Sequence, residues 1–332
     1  MTDNRLVDRF GRCINYLRIS VTDRCDLRCV YCMSEHMSFL PREQLLTLEE
    51  IDRIAAAFIE LGVDRIRITG GEPLVRRNVL ELFRDLGRHQ GLRDLTLTTN
   101  GSQLERFAGD LRAAGVTRVN ISLDTLRADR FKAITRIGDL DKTLRGIDAA
   151  IDAGFDRVKI NSVILKGHNH DEVLDLVDFA VERGIDISFI EEMPLGDNGD
   201  HRAGDVQYPS QQIRDDLARR YRLIASAERT GGPARYWSLE GHPATRIGFI
   251  SPHSHNFCDD CNRVRLTSEG LLLLCLGQEH SVDLRHVLRA HPGDDARLRQ
   301  AIIDAMRIKP KGHEFDLDSR TVLLRHMNMT GG

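Results

Sequence analysis

No stretch of this 332-residue chain stays apolar long enough to cross a bilayer. Leu271 to Leu276 is among its longest wholly apolar runs, against the roughly 20 residues a spanning helix needs. Charge of one sign is also missing: 47 Lys and Arg stand against 50 Asp and Glu, a net charge of -3. That balance gives no support to a nucleic-acid partner, although local basic patches remain open. The segment Met1-Thr2-Asp3-Asn4-Arg5 lacks the apolar core of a secretory signal. Apart from a strand–helix alternation nothing repeats, and no stretch is low in complexity. The expectation is a soluble, cytoplasmic chain without a membrane partner.

Cysteine is present but unevenly placed. Six of the seven cysteines fall into two tight clusters, which in a chain without an export signal points to metal ligation and not to disulfides. The first cluster is Cys25-Asp26-Leu27-Arg28-Cys29-Val30-Tyr31-Cys32. A fourth cysteine, which full ligation of a cubane asks for, is absent nearby: Cys13 lies across an apparent strand and reads as a small buried residue. Three thiolates can hold three irons and leave the fourth open for chemistry. A structural zinc would need a fourth ligand, with His36 the nearest candidate.

The alternation itself indicates the fold. Strands are expected at 16–21, 65–69, 95–99, 118–123, 157–165 and 185–190, with helices at 51–61, 79–86, 104–114, 144–153 and 173–181. Thr47-Leu48-Glu49-Glu50 has the form of a capping box. Six βα strands cannot complete an eightfold barrel. The expected architecture is therefore a partial (β/α)6 TIM-type barrel, with a C-terminal extension closing its open side. The boundary is placed near residue 235, giving parts 1–235 and 236–332. Ligands of parallel α/β folds gather at the C-terminal ends of the strands. The cysteine loop, Gly70-Gly71-Glu72-Pro73, Thr98-Thr99-Asn100-Gly101, Ser122 to Asp124 and Met193 all share that address.

Further chemistry is carried by the second cluster. Cys258-Asp259-Asp260-Cys261 is followed by Cys275. Spacing leaves two readings open: zinc with His253, His255 or His280 as fourth ligand, or a second cluster with an open iron. Arg263 and Arg265 share one face of an extended strand, and two guanidiniums beside a metal suit a phosphate. Arg18, Arg67 and Lys159, each an ordinary surface charge alone, would jointly help to neutralise a triphosphate.

These residues resemble the radical S-adenosylmethionine superfamily, and within it the GTP 3′,8-cyclase family that opens molybdenum cofactor biosynthesis. The resemblance rests on Leu17 to Cys25, Cys25-x-x-x-Cys29-x-x-Cys32, Ile68 to Leu74, Thr98 to Gly101 and Asn120 to Asp124. It continues through Val158 to Asn161, Phe189-Ile190-Glu191, Phe257 to Arg265 and the terminal Gly331-Gly332. It implies a lyase with two 4Fe–4S clusters, held by Cys25, Cys29 and Cys32 and by Cys258, Cys261 and Cys275. It implies S-adenosylmethionine contacts at Tyr31, Gly71, Ser122 and Met193. GTP would meet Arg18, Arg67, Thr98, Lys159, Arg263, Val264 and Arg265, and Gly331 and Gly332 would assist catalysis. The implied partners are GTP, a reductant protein and the cyclic pyranopterin monophosphate synthase that receives the product; a homodimer is also compatible. Two alternatives stand beside this: a peptide-modifying maturase with an auxiliary cluster, and a non-catalytic zinc-binding interaction protein.

Two departures from the family pattern occur, Ser188 in place of the usual arginine before Phe-Ile-Glu, and a polar Thr330 before the final glycines. Neither is a metal ligand. We expect Ser188→Arg to be tolerated, with full iron content after reconstitution; a variant that cannot assemble its clusters would mean that the site has been rebuilt around serine.

Overall fold

A computed structural model describes residues 5–196, 201, 203–315 and 325–331. Its strands are β1 (Tyr16–Ser20), β2 (Arg65–Thr69), β3 (Asp94–Thr99), β4 (Arg118–Ser122), β5 (Arg157–Val163) and β6 (Asp186–Ile190). They continue with β7 (Leu223–Ala225), β8 (Arg235–Leu239), β9 (His242–Ile250), β10 (Arg263–Leu266), β11 (Leu271–Leu273) and β12 (Ser281–Asp283). All belong to one sheet in the order β12-β11-β10-β1-β2-β3-β4-β5-β6-β9-β8-β7.

The six strands β1 to β6 run parallel in sequence order, each next to the last. This is the expected partial barrel. The C-terminal extension does more than cover one side, because it lengthens the sheet at both edges. β10 joins β1 and β9 joins β6, each in parallel, and antiparallel partners follow outward on both flanks. An edge strand of a parallel sheet carries a row of unpaired N–H and C=O groups, and the extension satisfies both rows.

Strand alternation decides what faces where. Leu17, Ile19, Ile66, Ile68, Leu97, Val119, Ile121, Ile160, Ile187 and Phe189 are wholly buried in the apolar core. The intervening residues face the barrel interior and are polar: Arg18, Arg67, Asn120, Lys159 and Asn161. Helices pack outside. The one at Leu48–Glu60 starts with the expected capping box, Thr47 Oγ1 accepting from the Glu50 amide and Glu50 accepting from the Thr47 amide. It buries Ile51, Ile54, Ala55 and Phe58. A helix at Ala128–Thr135, absent from the sequence expectation, packs Phe131 and Ile134 inward. It has no side-chain N-cap and spans only eight residues, so it offers little of the periodic signal that marks longer helices.

A buried ion pair helps to tie the extension to the barrel, beside exposed ones such as Arg289–Glu50 and Arg299–Glu60. Asp186 on β6 accepts from the backbone amide of Arg246 on β9 at 3.0 Å and from its Nε at 3.1 Å. Asp186 is 1% exposed, so removing the guanidinium strands a buried charge. Arg246→Met is expected to cost about 3–5 kcal/mol in urea unfolding; a loss below about 1 kcal/mol would show that Arg157, 3.8 Å from Asp186, suffices.

Candidate active site

Two pockets share a wall: one opens at the C-terminal ends of the strands, and the other runs through the barrel to Tyr16, Arg65, Asp94 and Arg118, the first residues of β1 to β4. The first is lined by Cys25, Cys29, Cys32, Tyr31, Gly70, Gly71, Thr98, Ser122, Asp124 and Met193, among others. The loop bearing its thiols is held from behind by the helix at 128–135. The Arg28 and Val30 amides donate to the Thr135 and Ile134 carbonyls at 3.0 Å each. Arg136, at positive φ, donates to the carbonyls of Arg28 and Met33. Arg28 itself donates to the Cys25 and Leu27 carbonyls at 2.6 and 2.8 Å and stacks on Phe39. It is a brace for the loop and not only a counter-charge.

Burial pushes the Cys25 and Cys29 thiols well up and the Cys32 thiol to about 12. Such thiols ionise when a cation shares the pocket, which is the condition for metal ligation. The donor set fits the group the motif implies. Three thiols line one cavity, and the Leu27 amide donates to Cys25 Sγ at 3.3 Å. Among the described residues no set of three or more His, Cys, Asp or Glu is arranged around a single ion. His36, the candidate zinc ligand, is exposed and off the pocket.

Glu72 does not face this pocket as an open ligand. It is wholly buried, accepting from the Leu74 and Asn100 amides and the Thr99 hydroxyl at 3.0, 2.6 and 2.8 Å. Burial outweighs those donors and raises its carboxyl to about 7. Gly70 and Gly71 cross directly over the loop ahead of Cys25. A Cβ at Gly70 would stand 2.8 Å from the Thr22 carbonyl oxygen, and one at Gly71 would overlap Arg24. Tyr31 donates to Asp124 at 2.6 Å, and Asp124 is raised to about 6, chiefly by burial.

The second pocket is strongly basic. Arg18, Arg65, Arg67, Arg118, Lys159, Arg263 and Arg265 line it, together with Cys258, Cys261 and Cys275. Asp94, also on its wall, pairs with Arg118. Burial and then Arg265 depress Arg18 well below the usual guanidinium range, and burial and then Arg263 bring Arg265 to about 10. Arg67 donates to Tyr16 at 2.5 Å and to Thr98 at 3.3 Å, and Lys159 donates to Tyr236 at 3.2 Å. Cys261 differs from the first set of thiols. Burial raises it, but Lys309 and Arg263 outweigh burial and hold it low.

The sequence-predicted residues divide mostly between the two pockets. Tyr31, Gly71, Ser122 and Met193 stand on the first pocket with Cys25, Cys29 and Cys32; Arg18, Arg67, Lys159, Arg263 and Arg265 stand on the second with the other three cysteines. Thr98 lines the first pocket and reaches the second through Arg67. Val264 belongs to the apolar core and borders the second pocket. Asn161, Ile190, Met193 and Met327 line both. Asn161 Oδ1 is buried without a partner among the described residues, an acceptor aimed at the junction. Gly331 also reaches the site: its carbonyl accepts from Arg265 at 2.6 Å, and at φ 75° it abuts Thr69 so closely that a Cβ would overlap the hydroxyl. Gly332 lies outside the described residues.

Of the histidines offered for zinc, His253 is bonded to the Glu192 carbonyl, while His255 and His280 are exposed. Cys13 is only partly buried. Ser188 is fully buried between Asn161 and Gly248, its hydroxyl without a hydrogen-bond partner among the described residues. Sequence reasoning missed Tyr16, Arg65, Arg118 and Asn120 on the second pocket. Their common signal is the polar half of each strand's alternation.

Comparison with known proteins agrees with this geometry. The family description Radical SAM superfamily matches residues 19–180, and Molybdenum Cofactor Synthesis C matches residues 185–315. A GTP 3′,8-cyclase of Ectopseudomonas mendocina is 60% identical over the whole of both chains. One from Marinobacter nauticus is 58% identical, again over both whole chains. Among solved structures, Streptococcus suis SuiB bound to S-adenosylmethionine is similar in fold, with a TM-score of 0.62 and 15% identity. The match covers 88% of this chain and 69% of that one.

The buried Glu72 generates a pH prediction. Its folded pKa lies above its ordinary value, so the folded chain binds the extra proton, and the contribution of Glu72 to stability falls as pH rises from about 4.5 to about 7. In urea unfolding of the iron-free chain, the stability of the parent relative to Glu72→Gln is expected to decline across that window. A constant difference would remove Glu72 as the titrating group.

Proposed function

The chain belongs to the GTP 3′,8-cyclase family of radical S-adenosylmethionine enzymes, and we propose that its two pockets divide the reaction between them. It converts GTP to (8S)-3′,8-cyclo-7,8-dihydroguanosine 5′-triphosphate, the first step of molybdenum cofactor biosynthesis, using a 4Fe–4S cluster and S-adenosylmethionine. The observation that carries the division is the shared wall. A group generated in the thiol pocket and a substrate held in the basic pocket meet at Asn161, Ile190, Met193 and Met327.

In this reading Cys25, Cys29 and Cys32 hold the first cluster, and Tyr31, Gly71, Ser122 and Met193 seat S-adenosylmethionine beside it. When bound, these groups supply a 5′-deoxyadenosyl radical that takes hydrogen from C3′ of the ribose. Residues 1–235 carry this half. The part 236–332 supplies Cys258, Cys261 and Cys275, which would hold a second 4Fe–4S cluster and offer an iron to the guanine. Arg18, Arg67, Lys159, Arg263 and Arg265 neutralise the triphosphate, with Val264 beneath them. Thr98 accepts from Arg67 and fixes its angle. Gly331, whose carbonyl accepts from Arg265, brings the tail to the site, and the terminal Gly331 and Gly332 would assist the reaction there. Positioning matters more here than proton transfer, because confinement keeps a radical from reacting with its surroundings.

The same reading places the enzyme in the cytoplasm, where a reductant protein supplies electrons and a cyclic pyranopterin monophosphate synthase takes the product. A homodimer is compatible with it. The zinc-protein and maturase alternatives have less support, since full-length identity to named cyclases favours this chemistry.

Anaerobic incubation with GTP, S-adenosylmethionine and a reductant tests the substrate assignment. Cyclised nucleotide is expected, and cofactor cleavage without it would sink the assignment. Iron analysis should give about eight irons per chain, two cubanes; about four would remove the second cluster. Arg67→Ala and Arg263→Ala should each lose about 1.5–3 kcal/mol of GTP binding, roughly 10–150-fold in KM. An unchanged KM in both would place the triphosphate elsewhere.

A further inference from the structure

Lys309 is 1% exposed, one of the most deeply buried large side chains of the molecule, and no carboxylate pairs with it among the described residues. Its Nζ donates to the Leu274 carbonyl at 2.5 Å, the Arg263 carbonyl at 3.1 Å and Cys261 Sγ at 3.7 Å. Two carbonyls and a sulfur satisfy its three protons. They do not supply the unit negative charge that an ammonium taken out of water requires. The charged neighbours make matters worse, since the Arg263 and Arg12 guanidiniums also act on Cys261.

The three contacts are not scattered. Arg263 begins β10, two residues after Cys261, and Leu274 immediately precedes Cys275. The ammonium therefore pins together the two chain segments that carry Cys261 and Cys275. Arg12 works from the other side, donating to the Cys258 carbonyl at 2.7 Å and to the Pro310 and Lys311 carbonyls at 2.7 and 2.6 Å. Gly312 completes this frame, where a Cβ would stand 3.2 Å from Cys258 Sγ. An anionic group bound by Cys258, Cys261 and Cys275 at this point would both balance the ammonium and account for its burial.

We propose that Lys309 is the fixed counter-charge of the second cluster, a positioning residue that aligns its cysteines and favours its reduced state. This rests on the reading that Cys258, Cys261 and Cys275 hold a cluster. The electrostatic sign is direct. Reduction adds one negative charge to the cluster, and a buried cation beside it stabilises that form.

The test uses the full chain with Cys25→Ser, Cys29→Ser and Cys32→Ser, so that iron can assemble only at the second site. In a redox titration followed by electron paramagnetic resonance, Lys309→Met should lower the ratio of reduced to oxidised cluster at a fixed potential by tenfold or more. That corresponds to about 59 mV for one electron. Lys309→Arg, which keeps the charge, should stay within about threefold. A ratio unchanged in Lys309→Met overturns the proposal. A parent that binds no iron overturns the second-cluster reading itself, and the inference with it. If Lys309→Met assembles no cluster, Lys309→Arg decides: the counter-charge role predicts that it binds iron to the parent's content with a ratio within about threefold, and an arginine variant that also binds no iron ends the proposal.

Discussion

Mutual repulsion among buried cations is the constraint on which the rest of this structure depends. Arg18, Arg67, Lys159, Arg263 and Arg265 face one cavity, and the carboxylate on that wall, Asp94, is engaged by Arg118. Burial and neighbouring guanidiniums depress both Arg18 and Arg265. A barrel interior of this kind is costly when empty of anions and favourable when one arrives. Tyr16 and Thr98 hold Arg67, and Tyr236 holds Lys159, through hydrogen bonds. The cavity is thereby arranged for a polyanion before one enters.

The two sets of thiols are set differently by the same physics. Cys25, Cys29 and Cys32 sit among acidic groups, with Asp124 and Glu72 among the charges that raise them beyond burial alone. In the second set Cys261 sits beside cations that more than offset its burial, whereas burial keeps Cys275 raised. The contrast arises because one set is carried on a loop at the end of β1 and the other where the extension returns beside that strand.

Much of the site was legible because its residues carry chemistry that few other contexts need. Three cysteines within eight residues, two glycines at a strand end and paired arginines after Cys-x-x-Cys all named their positions. The capping box at Thr47 and the polar–apolar alternation of β1 to β6 were equally local. What went unread was held by contacts between distant segments. The helix at 128–135 is short and uncapped, yet it supports the cysteine loop through the Thr135 and Ile134 carbonyls. Arg12 and Lys309 gave no motif at all; their roles exist only where residues 12, 258, 263, 274 and 309 come together.

The sequence by itself determined the partial barrel, the two cysteine sets and the strand ends at which the first thiol pocket lies, but not that the basic pocket reaches the opposite ends. Each of the first three follows from period, spacing or side-chain chemistry within a few residues. Tertiary structure alone decided that the extension pairs with both edges of the barrel, placing β10 against β1 and β9 against β6. It also decided that the two pockets share a wall. Edge pairing is a competition among unsatisfied backbone groups far apart in the chain, and no local pattern records which edge each strand will meet.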